Sequence, residues 1–265
     1  MSFSPDHLPI IWPALVAGLL VLATHVPLGL QVLRRGIVFI DLAIAQVAGL
    51  GVIAANMLGW ESGGIAVQAA ALSAALAAAL LLTWTERRWP GTQEALIGTL
   101  FVLAATGATL MLANNPHGGE HLKDLLVGQI LWVSTPQLVA NVVVSVLVLA
   151  LWFGRGAKLG SIGFYALFAL SVTASVQLVG IYLVFASLIV PALAARSMPR
   201  SLIAGYVIGT AGYGVGLLIS VGLDLPPGPV IVWTLAGLAL LVAAAAWMWF
   251  PARIRGLRNA GFPPT

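Results

Sequence analysis

Long apolar runs, interrupted at short intervals by charged or turn-forming residues, dominate the sequence. The runs hold hardly a charge, and each is about 20 residues long, the length that an α-helix needs to cross the hydrocarbon core of a bilayer. Because the runs are continuously apolar and do not alternate, they predict helices and not a β-barrel. The predicted spans are 10–32, 37–58, 63–84, 94–113, 130–153, 161–179, 181–196, 201–221 and 229–250.

The sixth and seventh spans leave two possibilities open. Gly180 separates them, and Pro191 removes a backbone donor inside the second. They are two crossings, or one helix followed by a broken half-helix. The pattern therefore predicts an all-α polytopic membrane protein with eight or nine transmembrane helices. It predicts a single transmembrane domain over residues 1–265, with a short mobile tail at about 253–265.

The composition agrees with a membrane protein and excludes several other functions. Hydrophobic residues make up 60% of the chain and charged residues 8%, and the mean hydropathy is +1.04. The sequence has no cysteine, which excludes disulfides and thiolate ligands. It has no GxxxxGK[ST] loop, so ATP hydrolysis by that route is not expected. The net charge is +4, but the basic residues are too few and too dispersed to predict a nucleic-acid partner.

The basic residues predict the orientation of the chain in the membrane. Of the 12 lysines and arginines, all but Lys123 fall on one side if there are nine crossings. That side is expected to be cytoplasmic, which places the N-terminus outside and the C-terminus inside. The basic residues on the cytoplasmic side are Arg34, Arg35, Arg87, Arg88, Arg155, Lys158, Arg196, Arg200, Arg253, Arg255 and Arg258.

The segment PHGGEH, in the outer loop between the fourth and fifth spans, is the strongest candidate for metal chemistry. His117, Glu120 and His121 are spaced i, i+3, i+4 and would share one face of a helix. Two imidazoles and a carboxylate suit zinc, manganese or iron(II). The H-x-x-E-H spacing also matches an inverted zinc-peptidase motif. The alternative interpretation is an ordinary solvated loop, since Pro116 and two glycines interrupt the segment.

Three polar residues inside the spans are further candidates. Asp41 lies just past the cytoplasmic arginines and is a pathway residue, or it pairs with those arginines at the interface. Gln46, on the same helix, is a pathway residue or an interhelical hydrogen bonder. His25 precedes a proline in the first span and is a ligand or proton carrier, or a satisfied structural histidine.

The segments LRRGIVFIDLAIAQVAGLGV, LKDLLVGQILWVS and VQLVGIYLVFASLIVPALAAR resemble a known family. It is the family of integral-membrane permeases of ABC importers for zinc, manganese and iron, the ABC-3 type. The resemblance extends from about residue 15 to 250. In the second helix it places Leu42 at a family aspartate and Gln46 at a family histidine, so neither expected metal ligand is kept. Asp41 stands one position before the lost carboxylate.

The resemblance implies a function and a set of partners. It implies a type II importer-like permease in the cell (inner) membrane, working as a homodimer surrounded by lipid and moving a divalent metal, zinc first. A separate ATPase would bind near FGRGAKLGSIGF, with Arg155, Lys158, Ser161 and Phe164 as coupling residues. A periplasmic or lipid-anchored binding protein would deliver the metal. The chain itself would be no enzyme and would hold no permanent cofactor.

Three alternative functions stay open. A permease of the same fold that moves a different solute, such as a metal chelate, is one, and the residues alone leave two more. One is an ion-coupled secondary transporter that titrates Asp41 and His25. The other is an intramembrane metallopeptidase built on His117, Glu120 and His121.

Overall fold

The chain folds as a bundle of α-helices, as its hydropathy predicts. The computed structural model describes residues 8–61, 64–113, 115, 118–155 and 159–249. No β-strand occurs among these residues. The helices are α1 (Leu8–Arg35), α2 (Ile40–Met57), α3 (Ile65–Arg88), α4 (Gln93–Leu112), α5 (Gly118–Val127), α6 (Thr135–Arg155), α7 (Gly160–Val179), α8 (Ile181–Ala195), α9 (Ser201–Leu223) and α10 (Pro227–Trp249).

Eight of the helices in the described ranges are long and apolar enough to cross a membrane. The exceptions are α5 and α8. Helix α8 has 15 residues, which extend about 22 Å and fall short of the roughly 30 Å hydrocarbon core. It starts just after Gly180, where α7 ends, and runs unbroken through Pro191, so the described residues contain eight full-length candidate spans and one short apolar helix. Helix α5 lies in what the sequence predicts to be an outer loop.

The two ends of the bundle differ in chemistry. At one end, Arg35 at the end of α1 contacts Glu86 of α3 and Ser161 at the start of α7; we name this the basic end. At the other end, α5 packs against α4, α7 and α8. We name this the amide end, after the asparagine and glutamine side chains that line its cavity. The sequence predicts that the basic end is cytoplasmic and that the amide end faces outward.

Helices α1, α7 and α8 form the centre of the bundle. In α7, 67% of the most apolar stretch is buried, against 17% in α6 and in α10. The aromatic rings of Phe164, Tyr165 and Phe168 fill the interior around α7. The apolar side chains on the outer faces of the peripheral helices have no partner elements in the described part of the chain, and lipid suits them.

Glycines on two faces of α9 permit close helix contacts. A Cβ added at Gly209 would lie 2.6 Å from Leu22 of α1. A Cβ added at Gly216 would lie 2.8 Å from the Cα of Ile231 in α10. Small residues allow such backbone approach in lipid, where packing replaces the hydrophobic effect as the force between helices.

This packing predicts that Gly216→Ala destabilises the protein. The new methyl group would meet the α10 backbone, which cannot swing aside, so the free energy of unfolding should fall by about 1–3 kcal/mol. Gly214→Ala is the matched control, because no atom lies within 4 Å of its added Cβ. It should be neutral, or stabilising by up to about 1 kcal/mol. Unfolding by SDS in mixed micelles measures both, and equal effects of the two substitutions would contradict the packing.

Candidate functional site

Asp41 is a buried carboxylate without a partner. It lies in the first turn of α2 and is 1% exposed, next to the buried Ile40 and Ile44. Neither of its oxygens has a hydrogen-bond partner among the described residues. Pairing with Arg35 is not observed, because that arginine binds Glu86. Since an unpaired carboxylate is costly in an apolar interior, Asp41 holds two oxygen atoms that a cation or a proton would satisfy.

His25 presents one free ring nitrogen to the interior of the bundle. Its side chain is fully buried in α1, and Nδ1 lies 2.9 Å from the carbonyl oxygen of Val21. A carbonyl can only accept, so Nδ1 carries the proton and Nε2 keeps its lone pair. Nε2 has no partner within the described ranges. His25 is therefore structural at one nitrogen and available as a metal ligand or proton acceptor at the other.

A short polar chain holds the histidine segment against α7. The Ser171 hydroxyl donates to Thr24 Oγ1 at 2.9 Å, and Thr24 Oγ1 lies 3.0 Å from His25 Nδ1. All three side chains are buried. These contacts fix the position of His25 relative to the central helix.

The resemblance predicts that Gln46 and Leu42 stand where the family has metal ligands. Gln46 is buried at 7% exposure, and Leu42 is partly exposed. No group of three or more histidine, cysteine or acidic side chains lies close enough to hold a metal in the part of the chain that the structure describes. His25 and Asp41 therefore do not belong to a ready-made site of three such ligands among the described residues.

Only part of the predicted outer metal site lies within the described residues. His117 and the side chain of His121 lie outside the described residues. Glu120 lies in the first turn of α5 and is exposed. The segment is thus a helix start, one of the two forms that its glycines allow, and its metal binding stays a prediction.

A cavity of about 520 Å³ opens at the amide end. It lies between the last turn of α2, the first turn of α3, the last turn of α7 and the segment 124–137. Its polar wall consists of Asn56, Gln68, Asn115, Asp124, Gln129, Gln137 and Gln177. The second half of α5 therefore borders the cavity through Asp124 and Leu125, and Asn115, which precedes α5, lines it as well.

Two glycines join α5 to the centre of the bundle beneath this cavity. Gly128, with φ +70°, and Gly180, with φ +80°, both adopt the left-handed conformation. Their backbones touch, because a Cβ on either residue would overlap the backbone of the other. Side chains are disfavoured at positive φ and have no room here. The end of α5 is therefore seated on the junction between α7 and α8.

Arg35 ties three helices together at the basic end. Its guanidinium lies 3.3 Å from Glu86 Oε1 of α3 and 3.4 Å from Ser161 Oγ of α7. It also lies 4.3 Å above the ring of Phe164. Both side chains of this ion pair are partly exposed, so the pair contributes little to the stability of the fold by itself. The cation–π contact adds about 0.5–2 kcal/mol. The tie fixes the start of α7, which is the predicted ATPase-coupling segment.

The predicted coupling residues divide into accessible and buried ones. Arg155 is exposed at the end of α6 and Ser161 is partly exposed. Lys158 lies outside the described residues. Phe164 is 2% exposed and packs against Trp152, Tyr165 and Phe168. In this conformation Phe164 supports Arg35 from inside and presents no surface to another chain.

Comparison with known proteins decides the family. A family model described as the ABC 3 transport family matches residues 7–164 and 154–246. The chain belongs to the ABC 3 transport family. This ABC permease is therefore a multi-pass membrane protein and the membrane subunit of a transporter.

Solved structures support the fold of the permease. PsaBC from Streptococcus pneumoniae in complex with Fab is 21% identical, with a TM-score of 0.71, over 89% of this chain and 93% of that one. A transporter described as of the metal-chelate ABC type, in an inward-facing conformation, is 15% identical, with a TM-score of 0.62, over 92% and 90%. None of the curated proteins matches the sequence.

Sequence reasoning missed two features of the permease. The tie between Arg35 and Glu86 joins residues 51 positions apart. The sequence feature that could have indicated it is Glu86 itself, an acidic residue beside the arginines at the end of α3. The cavity is formed by amides on five separate segments. None of these amides stands out in the sequence, because each lies at the end of an apolar run.

The Arg35 tie predicts that Arg35→Ala lowers the free energy of unfolding by about 1–2 kcal/mol, since the substitution removes an ion pair and a cation–π contact. Arg35→Lys keeps the charge but not the planar stack, and should fall between Ala and wild type. Arg34→Ala is the control, because Arg34 is exposed and should change stability by less than about 0.5 kcal/mol. SDS titration of the purified variants measures this, and equal losses for Arg34→Ala and Arg35→Ala would rule out the tie.

Proposed function

We propose that the permease forms the translocation path of an importer for divalent transition metal ions, with zinc as the first candidate. The observation that carries this is a pair of buried side chains with unused ligand atoms. Asp41 has two free oxygens and His25 has a free Nε2 among the described residues. Buried ionisable groups inside membrane helices mark ion pathways by default.

Imidazole and carboxylate together bind zinc, manganese and iron(II), but imidazole favours zinc over manganese. A site with few protein ligands suits transport better than a closed four-ligand site, because the ion has to leave it again. The metal is cargo in this proposal and not a resident cofactor.

Membership of an ABC family supports the remaining parts of this proposal. Two copies of the permease form a homodimer. An ATPase binds each copy at the basic end near Arg155 and Ser161, and a substrate-binding protein delivers metal at the amide end. His117, Glu120 and His121 receive the ion there. The N-terminus lies outside and the C-terminus in the cytoplasm, as the basic residues indicate.

The family assignment favours this function over the two alternatives that the residues alone leave open. An ion-coupled secondary transporter needs no ATPase, whereas the matched family is one of ABC transport. A metallopeptidase would cleave a peptide bond, whereas the matched family is one of transport.

Asp41→Asn should reduce metal uptake roughly tenfold or more, because it removes a charged ligand while keeping the side-chain volume. The amount of protein in the membrane should not fall, since an amide is easier to bury than a carboxylate. Asp224→Asn is the matched control: Asp224 ends α9 with φ +53°, a conformation that asparagine also adopts. Radioactive zinc uptake into cells that depend on this permease measures both. Normal uptake by Asp41→Asn would remove Asp41 from the path.

The double variant His117→Ala/His121→Ala tests the predicted outer site. It should raise the zinc concentration that gives half-maximal uptake while leaving the maximal rate nearly unchanged, because the site captures the ion before the path. Lys123→Ala, on the same segment, should leave both values unchanged. If the double variant shows the same dependence of uptake on zinc concentration as wild type, the segment does not bind the ion and is an ordinary solvated segment.

A further inference from the structure

The cavity at the amide end is much larger than a metal ion requires. Its volume is about 520 Å³. An ion with six bound waters fills about 180 Å³, at about 30 Å³ for each water. Cavities of this size accommodate small organic molecules in other proteins. The space therefore fits a ligand with a metal at its centre and further atoms around it.

The wall of the cavity suits hydrogen bonding and not direct coordination. Six of the lining side chains are amides: Asn56, Gln68, Asn115, Gln129, Gln137 and Gln177. Amides both donate and accept hydrogen bonds, whereas transition metals prefer imidazole, thiolate or carboxylate. Asp124 is the one charged side chain among the described lining residues. A single carboxylate does not neutralise a dication, so a ligand of low net charge matches this wall better.

Gln177, in the last turn of α7, adds a side-chain N–H donor to the cavity wall that makes no hydrogen bond within the described residues. Its Nε2 is shielded from solvent and has no acceptor in the described part of the chain. The terminal torsion of glutamine is soft, so the amide can turn toward an oxygen atom in the cavity. A bare cation would repel this donor, while the outer oxygens of a metal complex would accept its hydrogen bond.

We propose that this cavity binds the metal as a compact complex with a small oxygen-donor chelator, of low net charge, whose outer oxygens accept hydrogen bonds from the amides. The inference rests on the proposed function, because it names the form in which the imported metal enters. The amides recognise the chelator that surrounds the metal. His25 and Asp41 then act only on metal that has left that chelator.

Isothermal titration calorimetry of the full chain in lipid nanodiscs tests the proposal. The probes are zinc chloride, iminodiacetate alone, and the neutral one-to-one zinc–iminodiacetate complex, with empty nanodiscs as the blank. In the background variant His117→Ala/His121→Ala, in which the predicted outer site cannot capture zinc, the complex should bind at least 10-fold tighter than either component. Gln68→Leu and Gln177→Leu should each weaken binding of the complex by roughly 2- to 10-fold, the loss of one hydrogen bond.

Gln31→Leu is the matched control, because Gln31 lies near the basic end of α1 and not in the cavity wall. It should leave binding of the complex unchanged, and equal melting temperatures of the three variants would show that all are folded. In the same background, zinc chloride binding as tightly as the complex would overturn the proposal, and so would iminodiacetate alone binding as tightly. Binding of the complex that is unaffected by both cavity variants would also overturn it.

The two proposals fail separately. ATP-dependent zinc uptake by a permease that does not bind the complex would sink this inference and leave the proposed function in place. Cavity-dependent binding of the complex without ATP-dependent uptake would support the inference and contradict the proposed function.

Discussion

The bilayer leaves no water to satisfy a polar group, and the rest of the structure depends on that constraint. Each long helix satisfies its own backbone, and polar side chains within the bundle are few. Most of them hydrogen-bond to a backbone carbonyl of their own helix or to a neighbouring hydroxyl, as Ser187 and Thr83 do. Asp41 and the free nitrogen of His25 are departures from this rule among the described residues. Their burial has a structural cost, so a transport function is the most direct reason for it.

Helices α1 and α7 connect the basic end of the bundle to the amide end. Helix α1 carries His25 in its interior and Arg35 at its end, and Asp41 follows six residues after Arg35. Arg35 in turn holds the start of α7, whose other end seats α5 through the Gly128–Gly180 contact. Helix α7 therefore links the Arg35 tie at the basic end to the border of the cavity.

Much of the fold could be predicted from the sequence, because lipid imposes a long apolar run on every crossing. Eight of the nine predicted spans correspond to helices that are long and apolar enough to cross the membrane. The remaining span, predicted at 181–196, corresponds to the short α8. The packing role of the glycines in α9 was also predictable from their spacing. Helix α5 was not, because its glycines and charges resemble those of a solvated loop, and tertiary contacts with Gly180 and Gly228 hold it in place.

The candidate site could be predicted only in part. The sequence indicated Asp41 and His25 as buried ionisable groups, but not that Arg35 prefers Glu86 as its partner or that Nδ1 of His25 is occupied. Both depend on distances between helices, which hydropathy does not encode. The amide cavity was invisible for the same reason, since Gln68 and Gln177 are ordinary helix-end residues until the fold brings them together.

The central claim is that this permease moves a divalent metal when a separate ATPase hydrolyses ATP. The most direct measurement is zinc uptake into proteoliposomes that contain the permease, its ATPase and its binding protein, with manganese and iron(II) compared in parallel. The account predicts uptake that requires hydrolysable ATP on the side of the basic end and that is fastest with zinc. Uptake that persists without ATP and stops when a protonophore collapses the proton gradient would contradict it.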